Sequence, residues 1–310
     1  MTHPVGADLT QAVLARLDSC SDPRFKAVMS ALVVHLHAFM REVDLTPEEW
    51  MASIEFLTAT GRACDAQRQE FILLSDTLGA SMLTVALQQA RDIGSGRGAT
   101  EATEATVQGP YYLEGAPDRP LGADIGEGVA GDPTFYAGRV TDTEGNPVAG
   151  ALLDVWSGDG EGVYDMAAGG RRGMPARGRF RTDDQGRYWF WSIRPGHYPV
   201  PMDGPVGRML ERMGCHPNRP GHIHMKVSAT GFVPVTTHIF VADSLYLDSD
   251  AVFGVRDSLI VDFDAHGPGE APDGRLLDRP YWSAHYDFRL APFAGQASAA
   301  LRCGLTRTEQ

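Results

Sequence analysis

Two tyrosines and two histidines in the middle of the chain have the types and settings from which a metal centre can be built. The stretch "RPGHIHMKV", Arg219 to Val227, sets His222 and His224 two residues apart. On a β-strand, residues i and i+2 project from one face, so both imidazoles would point the same way. One strand supplies only two ligands, and the others must come from elsewhere. Tyr164 lies in the glycine-rich "GDGEGVYDM", and Tyr198 lies in "IRPGHYPVP", where Pro195, Pro199 and Pro201 fix much of the backbone and hold a phenol in place. Phenolate is a hard anionic donor. With an ordinary pKa of ~10, tyrosine ligates at neutral pH only when a strong Lewis acid takes its proton. Ferric iron is such an acid, whereas zinc sites mostly use Cys, His and carboxylate. Two phenolates and one hydroxide would balance Fe(III), leaving a neutral centre able to exchange hydroxide and one tyrosine for a chelating diol.

The same residues serve other classes. A zinc hydrolase built on His222 and His224 would need a carboxylate or a third histidine and would be colourless, and a non-catalytic β-sandwich binding module would tolerate loss of all four residues. The H-x-H spacing alone is common on strands, so the combination with the tyrosines carries the metal reading. His35 and His37, also two apart, fall on a predicted helix, where that spacing turns them about 200° from each other; they read as structural.

The elements that must position these groups change character along the chain. "SDPRFKAVMSALVVHLHAFMREV" offers Ser21 or Asp22 as N-cap, Pro23 at the first helical position, and an apolar stripe of Phe25, Val28, Met29, Leu32, Leu36, Phe39 and Met40. "TPEEWMASIEFLTATG" pairs Thr46 with Glu49 as a capping box and places Gly61 after the last apolar turn. "QEFILLSDTLGASMLTVALQQARD" is a third helix interrupted by Gly79. From about residue 105 the sequence breaks into short alternating runs, "FYAGRVTD", "ALLDVWSGD", "GRFRTDDQGRYWFWSI", "HIHMKVSAT", "VPVTTHIFVAD" and "DSLIVDF". "TEGNPVAG" and "TDDQG" have glycine or asparagine where hairpin turns need positive φ. The fold expected is therefore mixed: a helical N-terminal domain over residues 1–104, an antiparallel β-sandwich over 105–295 that carries the site, and a C-terminal tail over 296–310.

Composition narrows the partners. The formal net charge of −13 opposes nucleic-acid binding, which depends on clustered Lys and Arg. Basic residues concentrate only in "GGRRGMPARGRFR" and the late "RCGLTR", which read as surface. The four cysteines, Cys20, Cys64, Cys215 and Cys303, include no C-x-x-C pair, and no apolar run approaches a membrane span. A cytoplasmic protein with no membrane partner is expected.

Taken with "GPYYLEGAP" (Gly109 to Pro117), "GVYD" and "YLDSDAVFGVRDSL", these motifs resemble the intradiol ring-cleaving dioxygenases, non-haem Fe(III) enzymes that open catechols between their two hydroxyls. The resemblance covers nearly the whole chain. It implies one Fe(III) per subunit on Tyr164, Tyr198, His222 and His224, and a homodimer formed through the N-terminal helices with an amphipathic lipid held between protomers. Arg219 would stabilise carbanion character on the activated ring. Tyr198 would leave the metal when substrate chelates and accept a substrate proton, and His238 would stand beside the arginine where many catechol-cleaving members have glutamine. The helix segment "FILLSDTLGASML" and the late loop look closest to the hydroxyquinol branch, which turns benzene-1,2,4-triol and O₂ into 3-hydroxy-cis,cis-muconate (maleylacetate); catechol or a substituted catechol is the alternative. Asp76 would meet the third hydroxyl, with Leu73, Val107, Gly109, Pro110, Tyr111 and Val252 as the remaining pocket wall. Tyr111 is bulky for a substrate wall, and His197 has no assigned role.

Overall fold

Local capping chemistry accounts for the first helices of the computed structural model, which describes residues 6–65, 68–94, 101–165 and 174–293. Asp22 accepts the backbone N–H groups of Arg24 at 2.9 Å and Phe25 at 3.0 Å, and Pro23 opens helix α2, Pro23–Glu42. Thr46 and Glu49 bond reciprocally at 3.0 and 3.2 Å to open α3, Pro47–Arg62. Gly61 does not end that helix, which runs on to Arg62. The first helix, α1 (Ala7–Arg16), is tied to α2 by Thr10 Oγ1 and His37 Nδ1 at 2.9 Å, so His37 is structural as expected. The apolar stripe of α2 stays open within the chain: Phe25, Leu32, Leu36 and Phe39 are each about half exposed.

Two compact units divide at Arg62 and Ala63, well before the expected boundary at 104. The reason lies in the third helical stretch. Gly79 breaks it into α4 (Glu70–Thr77) and α5 (Ala80–Ile93), bent by 77°. Leu73 and Met82 from these helices pack with Val107, Val200 and Val252, which binds both helices into the sheet-bearing unit. No single helix among the described residues is long and apolar enough to cross a membrane.

Two five-stranded sheets form the second unit. In the first, β1 (Pro133–Asp142) pairs antiparallel with β4 (Arg187–Ile193) and parallel with β13 (Tyr281–His285) and β14 (Phe288–Leu290); β10 (Phe263–His266) flanks β13. The second runs β3 (Arg177–Arg181), β2 (Leu152–Ser157), β7 (His222–Ser228), β8 (Val235–Val241), β9 (Ile260–Val261). Short ladders join β5 (Tyr198–Pro199) to β6 (Asn218–Arg219), and β11 (Gly269–Glu270) to β12 (Leu276–Leu277). Pairing is mainly antiparallel, with parallel contacts at β1/β13, β1/β14 and β8/β9.

The two expected hairpins are instead corners between the sheets. Gly145 (φ 89°) and Gly186 (φ 71°) do adopt left-handed turns, yet β1 and β2 lie in different sheets, as do β3 and β4. Turn residues reverse the chain locally, but partner choice is made by burial of the flanking strands. The core fills the space between the sheets. Leu153 and Val155 of β2, Ile223, Met225 and Val227 of β7, and Phe180, Tyr188 and Phe190 are essentially inaccessible.

Helix α6, Pro205–Met213, was not anticipated from sequence, although Pro205 at its start and Gly214 (φ 71°) at its end are ordinary start and stop signals. The expected N-terminal arm lies partly, and the 296–310 tail with Cys303 wholly, outside the described residues, as does part of the arginine-rich stretch before Met174.

Candidate metal centre and substrate cavity

Alternation along β7 decides where the histidines go. Ile223, Met225 and Val227 fill the core, so His222 and His224 project from the opposite face, each 1% exposed. The neighbouring strand adds a third imidazole: His238 on β8 stands directly across from His224 in the ladder and is fully buried. Ligand atoms of His222, His224 and His238 lie within 4.8 Å of one another. On the other side of His224, Trp156 of β2 stacks on its ring at 4.7 Å and 12°.

Loops bring the phenols to this face. Tyr164 follows β2, and its Oη lies 2.9 Å from His224 Nε2. Asp165, the next residue, is gripped by both arms of Arg177 at 2.6 and 2.9 Å in a buried pair, which anchors the loop at the tyrosine. Tyr198 arrives on β5, paired directly with Arg219 on β6. Gly162 (φ 79°) lets the two tyrosine loops meet, since a Cβ there would lie 2.5 Å from Tyr198 Cβ. The rings close on one another, with centroids 5.3 Å apart for Tyr164 and Tyr198, 5.6 Å for Tyr198 and His222, and 4.8 Å for His222 and His224.

Protonation states follow from burial. His222 is pushed down to about 3 by burial and then by the Arg219 charge. Its Nδ1 donates to Pro220 O at 2.7 Å, which leaves the Nε2 lone pair facing the phenols. Burial also holds His224 and His238 well below the ordinary histidine value. His224 Nδ1 and both nitrogens of His238 complete no side-chain hydrogen bond, and the nearest polar partner of His238 is the Val107 backbone. Burial, with Tyr198 alongside, raises the Tyr164 phenol well above its usual range. Neutral imidazoles, an orphaned ring nitrogen and a phenol that gives up its proton only to a strong Lewis acid fit a ferric ion.

Acid should therefore weaken the metal-free fold. Each buried imidazole stays neutral when folded but binds a proton near pH 6.5 once unfolded, so the unfolded chain carries more protons below that pH and stability rises with pH. Between pH 6.5 and 4.5 the urea midpoint is expected to fall, at up to about 1.4 kcal/mol per histidine per pH unit. A flat midpoint would mean that the three rings are hydrated.

Next to the ring cluster opens a cavity of about 220 Å³. An apolar cavity of about 150 Å³ is enough for benzene. Leu73 and Asp76 come from α4, Val107, Gly109, Pro110 and Tyr111 from the segment before β1, and Val252 from a late loop; all seven expected wall residues line it, with Tyr198 and Arg219. Tyr111 stacks on Tyr164 at 4.2 Å and 20°. Asp76 is buried rather than facing solvent, and burial raises its carboxyl while a hydrogen bond from Ser81 pulls it back in part. Arg68, Gln69, Glu70, Ile72, Val200 and Pro201 also line the cavity and were missed from sequence. Only Val200 and Pro201 had a signal, as neighbours of Tyr198. Glu70 is buried because it accepts Val206 N–H at the start of α6 and pairs with Arg68.

The family model for the catechol dioxygenase N terminus matches residues 22–96, and the dioxygenase model matches residues 107–292. The chain belongs to the intradiol ring-cleaving dioxygenases. It is similar to the hydroxyquinol 1,2-dioxygenase of Nocardioides simplex, 46% identical over 94% of this chain and 100% of the relative. It also resembles the 6-chlorohydroxyquinol 1,2-dioxygenase of Cupriavidus pinatubonensis, 48% identical over 83% of this chain and 90% of the relative. Among solved structures, the hydroxyquinol 1,2-dioxygenase of Pseudomonas putida DLL-E4 aligns at TM-score 0.85 and 42% identity, covering 93% of this chain and 99% of the other. As an intradiol dioxygenase the chain is an enzyme of aromatic ring cleavage, and the hydrolase and binding-module readings fall. The third histidine such a hydrolase would need is nevertheless present as His238.

Proposed function

We propose that this dioxygenase cleaves benzene-1,2,4-triol between its adjacent hydroxyls with O₂, giving 3-hydroxy-cis,cis-muconate (maleylacetate), at one Fe(III) per subunit held by Tyr164, Tyr198, His222 and His224. One observation carries the reading: two phenols and two neutral imidazoles converge at a largely apolar cavity beside Arg219, with the Asp76 carboxyl in its wall. The hydroxyquinol names of the similar proteins support the triol over catechol.

Ferric iron, when bound, supplies the Lewis acid that chelates the diol and activates its ring toward O₂. Tyr198 Oη, 3.3 Å from Arg219 Nη1, accepts a substrate hydroxyl proton as the phenol is displaced. The Arg219 guanidinium, buried and permanently charged, stabilises negative charge developing on the ring. Leu73, Val107, Pro110 and Val252 cover the ring's faces and exclude water, Gly109 leaves room beside His224, and Tyr111 closes the wall. His238 packs on both metal-facing imidazoles and holds their rings in place.

Anaerobic spectral titration with the triol and with catechol, followed by oxygen, tests metal, substrate and reaction together. A red-brown protein whose visible band shifts on adding triol and which then takes up O₂ is the expected result; a colourless protein with stoichiometric zinc would sink it. Asp76 accepts the third hydroxyl, which catechol lacks. Asp76→Ala is expected to lower kcat/KM for the triol roughly 10- to 100-fold more than for catechol, and equal losses would remove the basis for the triol. The half-exposed apolar stripe of α2 supports a homodimer through the helices of the 1–104 region, with an amphipathic lipid between protomers, while residues 105–295 carry the chemistry. Scattered cysteines suit the cytoplasm, and the −13 charge opposes nucleic acid as a partner.

A further inference from the structure

A guanidinium has five N–H donors, and something must choose which of them faces the reacting ring. We infer that Asp250 is the positioning residue for Arg219: its carboxylate grips the Nε and Nη2 edge of the guanidinium and so turns Nη1 toward Tyr198 and His222. The inference rests on the role given to Arg219 under the proposed function.

Arg219 Nε donates to Asp250 Oδ1 at 3.0 Å and Nη2 to Oδ2 at 3.3 Å, and the two side chains are 3% and 2% exposed. Nη1 is left to face Tyr198 Oη at 3.3 Å and His222 Nε2 at 3.2 Å. The carboxylate is itself fixed. It accepts the backbone N–H groups of Val252 at 3.3 Å and Gly254 at 2.9 Å, inside a loop whose Ala251 N–H bonds Asn218 O, the residue before Arg219. Gly254 permits this closeness, since a Cβ there would stand 2.9 Å from Arg219 Nη2. The same loop supplies Val252 to the cavity wall, so ring face and cation are set by one piece of backbone.

A fork held on two sides has little freedom to rotate, and a side chain that merely balanced charge would not need this geometry. In the iron-loaded enzyme acting on benzene-1,2,4-triol, Asp250→Asn is expected to lower kcat about 10- to 100-fold with KM and anaerobic triol affinity within about threefold of wild type. Iron content and the resting visible band should be unchanged. Asp250→Glu keeps the buried pair neutral and so guards against misfolding, and it should lose kcat similarly because the carboxylate is displaced by one methylene. In an Arg219→Gln background no guanidinium remains to orient, and adding Asp250→Asn should change kcat by less than about twofold. Full kcat in Asp250→Glu, a loss confined to KM, or an equal further loss in the Arg219→Gln background would overturn the inference. Absence of ring cleavage by the wild type with both triol and catechol is a separate failure, which would overturn the proposed reaction itself.

Discussion

Replacing His222 with alanine is expected to leave a folded protein that holds no iron, shows no phenolate absorption and consumes O₂ on the order of 10³-fold more slowly or less. The imidazole has no substitute at its position. Its Nδ1 is committed to Pro220 O at 2.7 Å, its Nε2 lone pair is kept free of a proton by burial and the Arg219 charge, and the remaining rings stand at fixed places around it. Alanine offers no donor atom, and the cavity wall is otherwise unchanged. Metal analysis, the visible spectrum and oxygen uptake check the three parts separately. A variant that keeps full iron, colour and activity would show that His222 is no ligand. Tyr198→Phe should alter the visible band by removing one phenolate, and an unaltered band would exclude Tyr198 from the centre.

Arg219→Gln should lower kcat by about 10²- to 10³-fold, the usual worth of one preorganised donor at developing negative charge. KM is expected to move far less, since the cation acts on charge that appears after binding. The same change strips Asp250 of its buried partner and leaves two backbone amides to hold its charge. Breaking a buried pair costs about 3–5 kcal/mol, so the melting temperature should fall as well. Assays well below that temperature separate the two effects. A variant that melts early but turns over at the wild-type rate would leave Arg219 a structural role only.

The motifs that identified the family were legible because each is written in near neighbours. H-x-H places two imidazoles on one face of any strand, and β7 obeys it. The caps at Asp22 and Thr46 follow from contacts spanning two or three residues. Turn glycines were equally legible, but their consequence was not: Gly145 and Gly186 turn the chain between sheets rather than within one. The parallel pairings of β1 with β13 and β14 join residues more than a hundred positions apart, beyond the reach of any local signal.

By itself, then, the sequence determined a helical region followed by a β-sandwich, the Tyr₂His₂ donor set and an arginine beside it. Tertiary structure alone decided that His238 stands opposite His224, that Asp76 is buried in a cavity wall, and that Asp250 grips Arg219. The physical reason is range. Alternation, capping and proline restraint act over a few residues, whereas strand register and buried ion pairs are settled only when distant segments compete for the same dry space.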